Sequence, residues 1–106
     1  MFEEVLAACK KWFYDNQQLY SDKLNMFVTK DDSKVFFANI ETDVYLSSIC
    51  ISEPDYRPYR FVEFVVLDSR KELNQTPPFW YGDEEGESLQ SIIKNLYLGL
   101  EFLLRA

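Results

Sequence analysis

Histidine does not occur in this 106-residue sequence, so the commonest general base and the commonest transition-metal ligand are both missing. Glycine occurs three times and proline four, too seldom for a low-complexity or linker-rich chain. Gly82, Gly86 and Gly99 are scattered among acids or within a helical pattern, which leaves no glycine-rich loop to cradle a phosphate. No serine stands in a Gly-x-Ser-x-Gly elbow, and Ser47, Ser48 and Ser52 read as strand residues. Basic residues are the minority, 11 against 18 acids, for a formal charge of −7. That sign opposes binding to nucleic acid or to anionic lipid and favours a basic protein partner. No apolar run approaches the ~20 residues that span a bilayer. Glu3 and Glu4 stand where a signal peptide carries basic residues, so a cytoplasmic location is expected. These absences predict a chain with no catalytic centre, no metal and no cofactor.

What is present is enough to fold. Apolar residues make up 47% and aromatics 17%, and a chain of this length buries roughly 60–70% of its unfolded surface as one domain. A single domain over residues 1–106 is therefore expected. Cys9 and Cys50 lie inside apolar patterns without metal or redox spacing, and read as reduced core residues rather than as a disulfide or a reactive thiol.

Phe2, Val5, Leu6, Cys9, Trp12 and Phe13 recur at helical steps and predict a helix over residues 2–17, with Glu3 and Glu4 at its positive end. Runs at 23–30, 34–41, 43–52 and 60–68 are rich in Val, Ile, Phe and Tyr and read as strands. Asp31-Asp32-Ser33 and Thr42-Asp43 suit tight hairpins, and residues 53–59, with two prolines, form a longer loop. The run 61–67 alternates little, as an interior strand with both faces largely covered does. Phe79-Trp80-Tyr81 adds a short edge strand, and an acidic segment at 83–88 leads into a helix marked by Leu89, Ile92, Ile93, Leu96, Leu100 and Leu103. Its broad apolar arc fits either a sandwiched helix or a dimer contact. The order predicts an α+β fold: an N-terminal helix, a four- to five-stranded antiparallel meander and a C-terminal helix, both helices on one sheet face.

Candidate contact residues fall in three places. Trp80 and Tyr81, beside Asp83, Glu84, Glu85 and Glu87, put rings next to negative charge near a sheet edge. Two readings stand there: Phe79 and Trp80 close the core or meet a partner, and the acids are a solvated turn or a contact site. Asp55, Tyr56 and Tyr59 sit in the proline-braced loop. Glu63, within an apolar strand, faces solvent at a sheet margin, pairs with Arg57 or Arg60, or marks an exposed binding face.

The segment KVFFANIETDVY from Lys34 to Tyr45, then Ile49-Cys50-Ile51, then VEFVVLD from Val62 to Asp68, resembles the TriTu immunity proteins of bacterial polymorphic toxin systems, with element order comparable over residues 2–104. The resemblance implies an antitoxin that stays in the producing cell and neutralises one cognate toxin, often a nuclease, in systems such as contact-dependent growth inhibition. A toxin with a basic surface is the partner implied, and this chain is then a monomer or a homodimer. The alternative is a chaperone of the type III secretion class, also small, acidic and α+β. Those chaperones usually place a helix between strand groups, whereas residues 23–81 here have no helical periodicity.

Overall fold

The computed structural model describes residues 1–53 and 61–105. Helix α1 spans Phe2–Leu19 and α2 spans Leu89–Arg105. Between them run β1 (Asn25–Asp31), β2 (Val35–Glu41), β3 (Tyr45–Ser52), β4 (Val62–Asp68) and β5 (Phe79–Gly82). All neighbours are antiparallel in the order β1-β2-β3-β4-β5, so the sheet is an uninterrupted meander. The expected α+β architecture is the one observed, each element within two residues or so of its sequence-read bounds. Among the described residues no helix is long and apolar enough to cross a membrane.

Local chemistry explains the turns. Asp32 accepts hydrogen bonds on Oδ1 from the backbone N–H of Lys34 and of Val35, both 2.8 Å, which closes the β1–β2 hairpin as an Asx turn. Thr42 does the same with its hydroxyl, accepting from Val44 (3.2 Å) and Tyr45 (2.9 Å). Helix α2 starts on Ser88, whose Oγ accepts from the Ser91 N–H at 3.1 Å. The acids expected at the start of α2 thus lie just ahead of the helix, and its first turn contains none. In α1 the acids are where the sequence puts them, with Glu3 and Glu4 in the first turn.

Both helices pack on the same face of the sheet. That face contributes Phe36, Ala38, Ile40, Ile49, Ile51, Val62, Phe64 and Val66 to one core with Val5, Cys9 and Phe13 of α1 and Ile92, Leu96, Leu100 and Leu103 of α2. The approach of α2 is closest at Gly99, where an added Cβ would stand 2.6 Å from the Phe64 ring and 2.8 Å from the Phe79 ring. Glycine is required there for proximity, not for backbone freedom. Gly86 is the residue with a left-handed backbone, at φ 83°, in the turn before α2.

The strand β4 departs from the expected covering of both faces. Val62, Phe64, Val66 and Asp68 are buried, while Glu63, Val65 and Leu67 are only half-buried, because both helices lie on one side and neither reaches the other. At the β1 edge, Lys10 and Tyr14 of α1 hold Asp31 at 2.6 Å each, and Gln17 donates to the Met26 carbonyl at 2.8 Å. With a register shift between Val28 and Lys30, these contacts keep the edge from presenting a regular row of unpaired backbone groups.

Candidate partner-binding surface

A strand sends successive side chains to opposite faces, so every strand that fills the core also builds a second surface. Cross-strand register arranges that helix-free face in rows. One row runs Phe27, Asn39, Ser48, Val65 and Trp80 across all five strands. A second runs Phe37, Cys50, Glu63 and Gly82, and a third runs Asn25, Glu41, Leu46 and Leu67. Phe37 is 38% exposed, Leu46 46% and Trp80 50%. Three large apolar side chains, on β2, β3 and β5, thus open to solvent on one sheet face, with Phe27 of β1 and Val65 and Leu67 of β4 half-buried on the same face. The polar Asn39 and Ser48 lie among them, which makes a mixed surface of the kind that protein partners use.

Polar groups fix the orientation of this surface. The Trp80 indole N–H donates to Glu63 Oε2 at 3.0 Å, joining β5 to β4 on the helix-free side. Asn39 donates to the Ser47 carbonyl at 3.3 Å, which settles the middle of the face. Glu63 therefore lies among apolar side chains on the helix-free face, half-buried and hydrogen-bonded to Trp80. Its expected alternative partners Arg57 and Arg60, like the candidate residues Asp55, Tyr56 and Tyr59, lie outside the described residues.

The acidic run at 83–87 divides into two kinds of group. Asp83 is 2% exposed, and its Oδ1 accepts from the backbone N–H of Phe61 and of Val62, both at 2.8 Å. It secures the start of β4 against the end of β5. Glu87 accepts from Ser91 Oγ (2.6 Å), Tyr81 Oη (2.8 Å) and Asn95 Nδ2 (3.3 Å) on Oε2, and from the Glu84 N–H (3.0 Å) on Oε1. Burial opposes its ionisation, yet those hydrogen bonds together hold the carboxyl below the usual carboxylate range. Tyr81 points into the core at 8% exposure, and burial first, with Glu87 second, pushes its phenol up. Glu84 and Glu85 are exposed.

Of the sequence-read candidates, the structure thus brings Glu63 and Trp80 together on one surface and leaves Glu84 and Glu85 at the surface beyond β5. It turns Tyr81 and Asp83 inward and gives Glu87 an internal network. Phe79 packs partly into the core, edge-on to Phe64 at a centroid distance of 5.4 Å. Phe37, Leu46, Val65 and Leu67 were not singled out in the sequence. The adjacent pair Phe36-Phe37 carried a signal for one of them, since two neighbouring strand residues cannot both face the core.

The chemistry of the remaining reactive groups is subdued. Cys9 and Cys50 are both thiols, but of the two only Cys9 is a core residue, Cys50 lying half-buried in the Phe37–Glu63 row of the helix-free face. Cys9, 1% exposed, is pushed up to about 12 by burial with the Asp83 charge adding. Among the described residues no three His, Cys, Asp or Glu side chains are grouped to hold a metal ion. An open groove of about 950 Å³ lies at one end of the sheet, between the α1–β1 connection, the β2–β3 turn and Leu103–Leu104. Asp22, Glu41 and Asp43 lie along it with Lys23 and the hydroxyls of Ser21 and Thr42, and the Thr42 hydroxyl is engaged by the backbone N–H groups of Val44 and Tyr45.

Fold and surface together define a small acidic α+β protein with one helix-covered and one helix-free sheet face. No protein-family model, no curated protein and no solved structure matches this chain.

Proposed function

We propose that this protein is an immunity protein: a non-enzymatic antitoxin that binds a cognate secreted bacterial toxin in the cytoplasm of the producing cell and blocks it by contact. The observation that carries the binding part is the helix-free sheet face, where Phe37, Leu46 and Trp80 stand exposed on the same side as Glu63. Exposed aromatic anchors within a partly polar surface are the usual source of binding energy between proteins. Glu84 and Glu85, exposed beyond β5 on a chain of charge −7, add the field that steers a basic partner to that face. The class of partner comes from the resemblance of the Lys34–Tyr45 and Val62–Asp68 segments to immunity proteins. A toxin with a basic cleft, such as a nuclease, matches this charge.

The secretion-chaperone reading is less well supported, because the described strands follow one another with no helix among them. The test is co-expression with the gene product encoded immediately upstream, reading growth of the host and capture of a one-to-one complex. Rescue of growth with a stable complex is the expected result. A toxic neighbour that is neither bound nor neutralised removes the immunity reading for that pair.

A further inference from the structure

The outer arc of α2 carries a pattern that the helix-free sheet face does not use and that meets the core through the Tyr97 ring, edge-on to Trp12 at a centroid distance of 5.7 Å. Its exposed residues are Gln90, Lys94, Tyr97, Leu98, Glu101 and Arg105. At about 100° per residue these six fall within roughly a 100° arc, a single stripe along the helix. They are symmetric in type about the Tyr97–Leu98 peptide. Lys94 mirrors Glu101, Gln90 mirrors Arg105, and the two apolar residues, each 45% exposed, sit at the centre.

We infer that this stripe is a contact for a second copy of the chain, with the two α2 helices packed antiparallel about a two-fold axis at Tyr97–Leu98. A two-fold contact must be complementary to itself. Antiparallel packing about this midpoint sets Lys94 of one copy level with Glu101 of the other, twice, and brings the two apolar pairs together. The second copy's Leu98 then lies against a groove of about 390 Å³ bordered by Leu98, Phe102, Tyr45 and Phe79. Charge suits this surface to such a contact. Two chains of −7 repel, yet the stripe carries two cations and one anion, so it is a place where copies meet without adding to that repulsion. Glu101 already pairs within its own helix with Arg105 at 3.3 Å, an exposed bond that is readily shared. Lys94 has no ion-pair partner among the described residues.

The contact is independent of the toxin-binding reading, because α2 lies on the opposite side of the sheet from the helix-free face. A dimer built this way points its two helix-free faces outward and binds two partners.

A single helix pair lies at the small end of stable interfaces, so the dimer is expected to form at roughly tens of micromolar. Sedimentation velocity on the full chain should show twice the 12.6 kDa monomer mass at about 0.3 mM, with dissociation on dilution. Lys94→Glu alone and Glu101→Lys alone should each weaken the dimer by about tenfold or more, and the double swap should restore it. Circular dichroism confirms that each variant folds, as expected for exposed positions. A wild-type monomer at the highest concentration overturns the proposal. So does a dimer indifferent to both single swaps, or a folded double swap that stays dissociated.

Discussion

The two faces of one sheet, built from the same strands, have opposite fates. In β2, Phe36 is fully buried while Phe37 next to it is 38% exposed; in β5, Tyr81 is 8% exposed and Trp80 50%. Neighbouring residues of one chemical kind therefore serve either the core or the surface. The choice is made by the helices, which both dock on the Phe36 and Tyr81 side. Apolar content alone does not mark a core in this chain. A large ring is buried where α1 or α2 covers it and opens to solvent where neither does.

The sharpest way to break this comparison is to truncate one ring from each face. Phe36→Ala should lower unfolding free energy by about 3 to 5 kcal/mol, as large-to-small changes at close-packed sites do. Phe37→Ala should change it by less than about 1 kcal/mol. Urea titration of both variants checks this, and equal losses would show that the faces do not differ as described.

A second contrast lies within the acidic run. Asp83→Ala leaves the buried N–H groups of Phe61 and Val62 without their carboxylate and should cost about 2 to 3 kcal/mol. Glu84→Ala, one residue on and exposed, should stay within about 0.5 kcal/mol of wild type by the same titration. Next in size is Gly99→Ala. Alanine favours the helix by about 1 kcal/mol, but its methyl meets Phe64 at 2.6 Å, and overpacking of this kind costs about 1 to 3 kcal/mol. A net loss is expected, and a stabilised variant would show that α2 does not sit so close to β4.

The smallest effect is on acid stability. The Arg70 guanidinium and backbone hold the Asp68 carboxyl down at about 2, against an ordinary 3.8. Its contribution is present above the ordinary value and is lost as pH falls from about 4 towards about 2. Glu87, also lowered, acts in the same direction. Denaturant midpoints should therefore fall through that window, and Asp68→Asn should flatten the slope.

The order of elements was legible because helical and strand periodicities differ and because Asp32 and Thr42 have the side chains that their turns need. The single covered face also followed, from two amphipathic helices flanking a meander. Which face Trp80 or Tyr81 would take was not legible, since alternation separates neighbours without saying which goes inward. Nor did the acidic run reveal its division. Asp83 is drawn in because β5 ends beside the first amides of β4, a contact between residues more than twenty positions apart. Gly99 read as a scattered glycine for the same reason, its meaning lying in Phe64 on another element.

The central claim is that the helix-free face serves binding and not stability, and one variant tests it directly. Phe37→Ser combined with Leu46→Ser should melt within a few degrees of wild type, as exposed positions do, yet lose affinity for the partner captured by co-expression by about 100-fold or more in a calorimetric titration. A variant that melts like wild type and binds the partner with undiminished affinity would contradict the account.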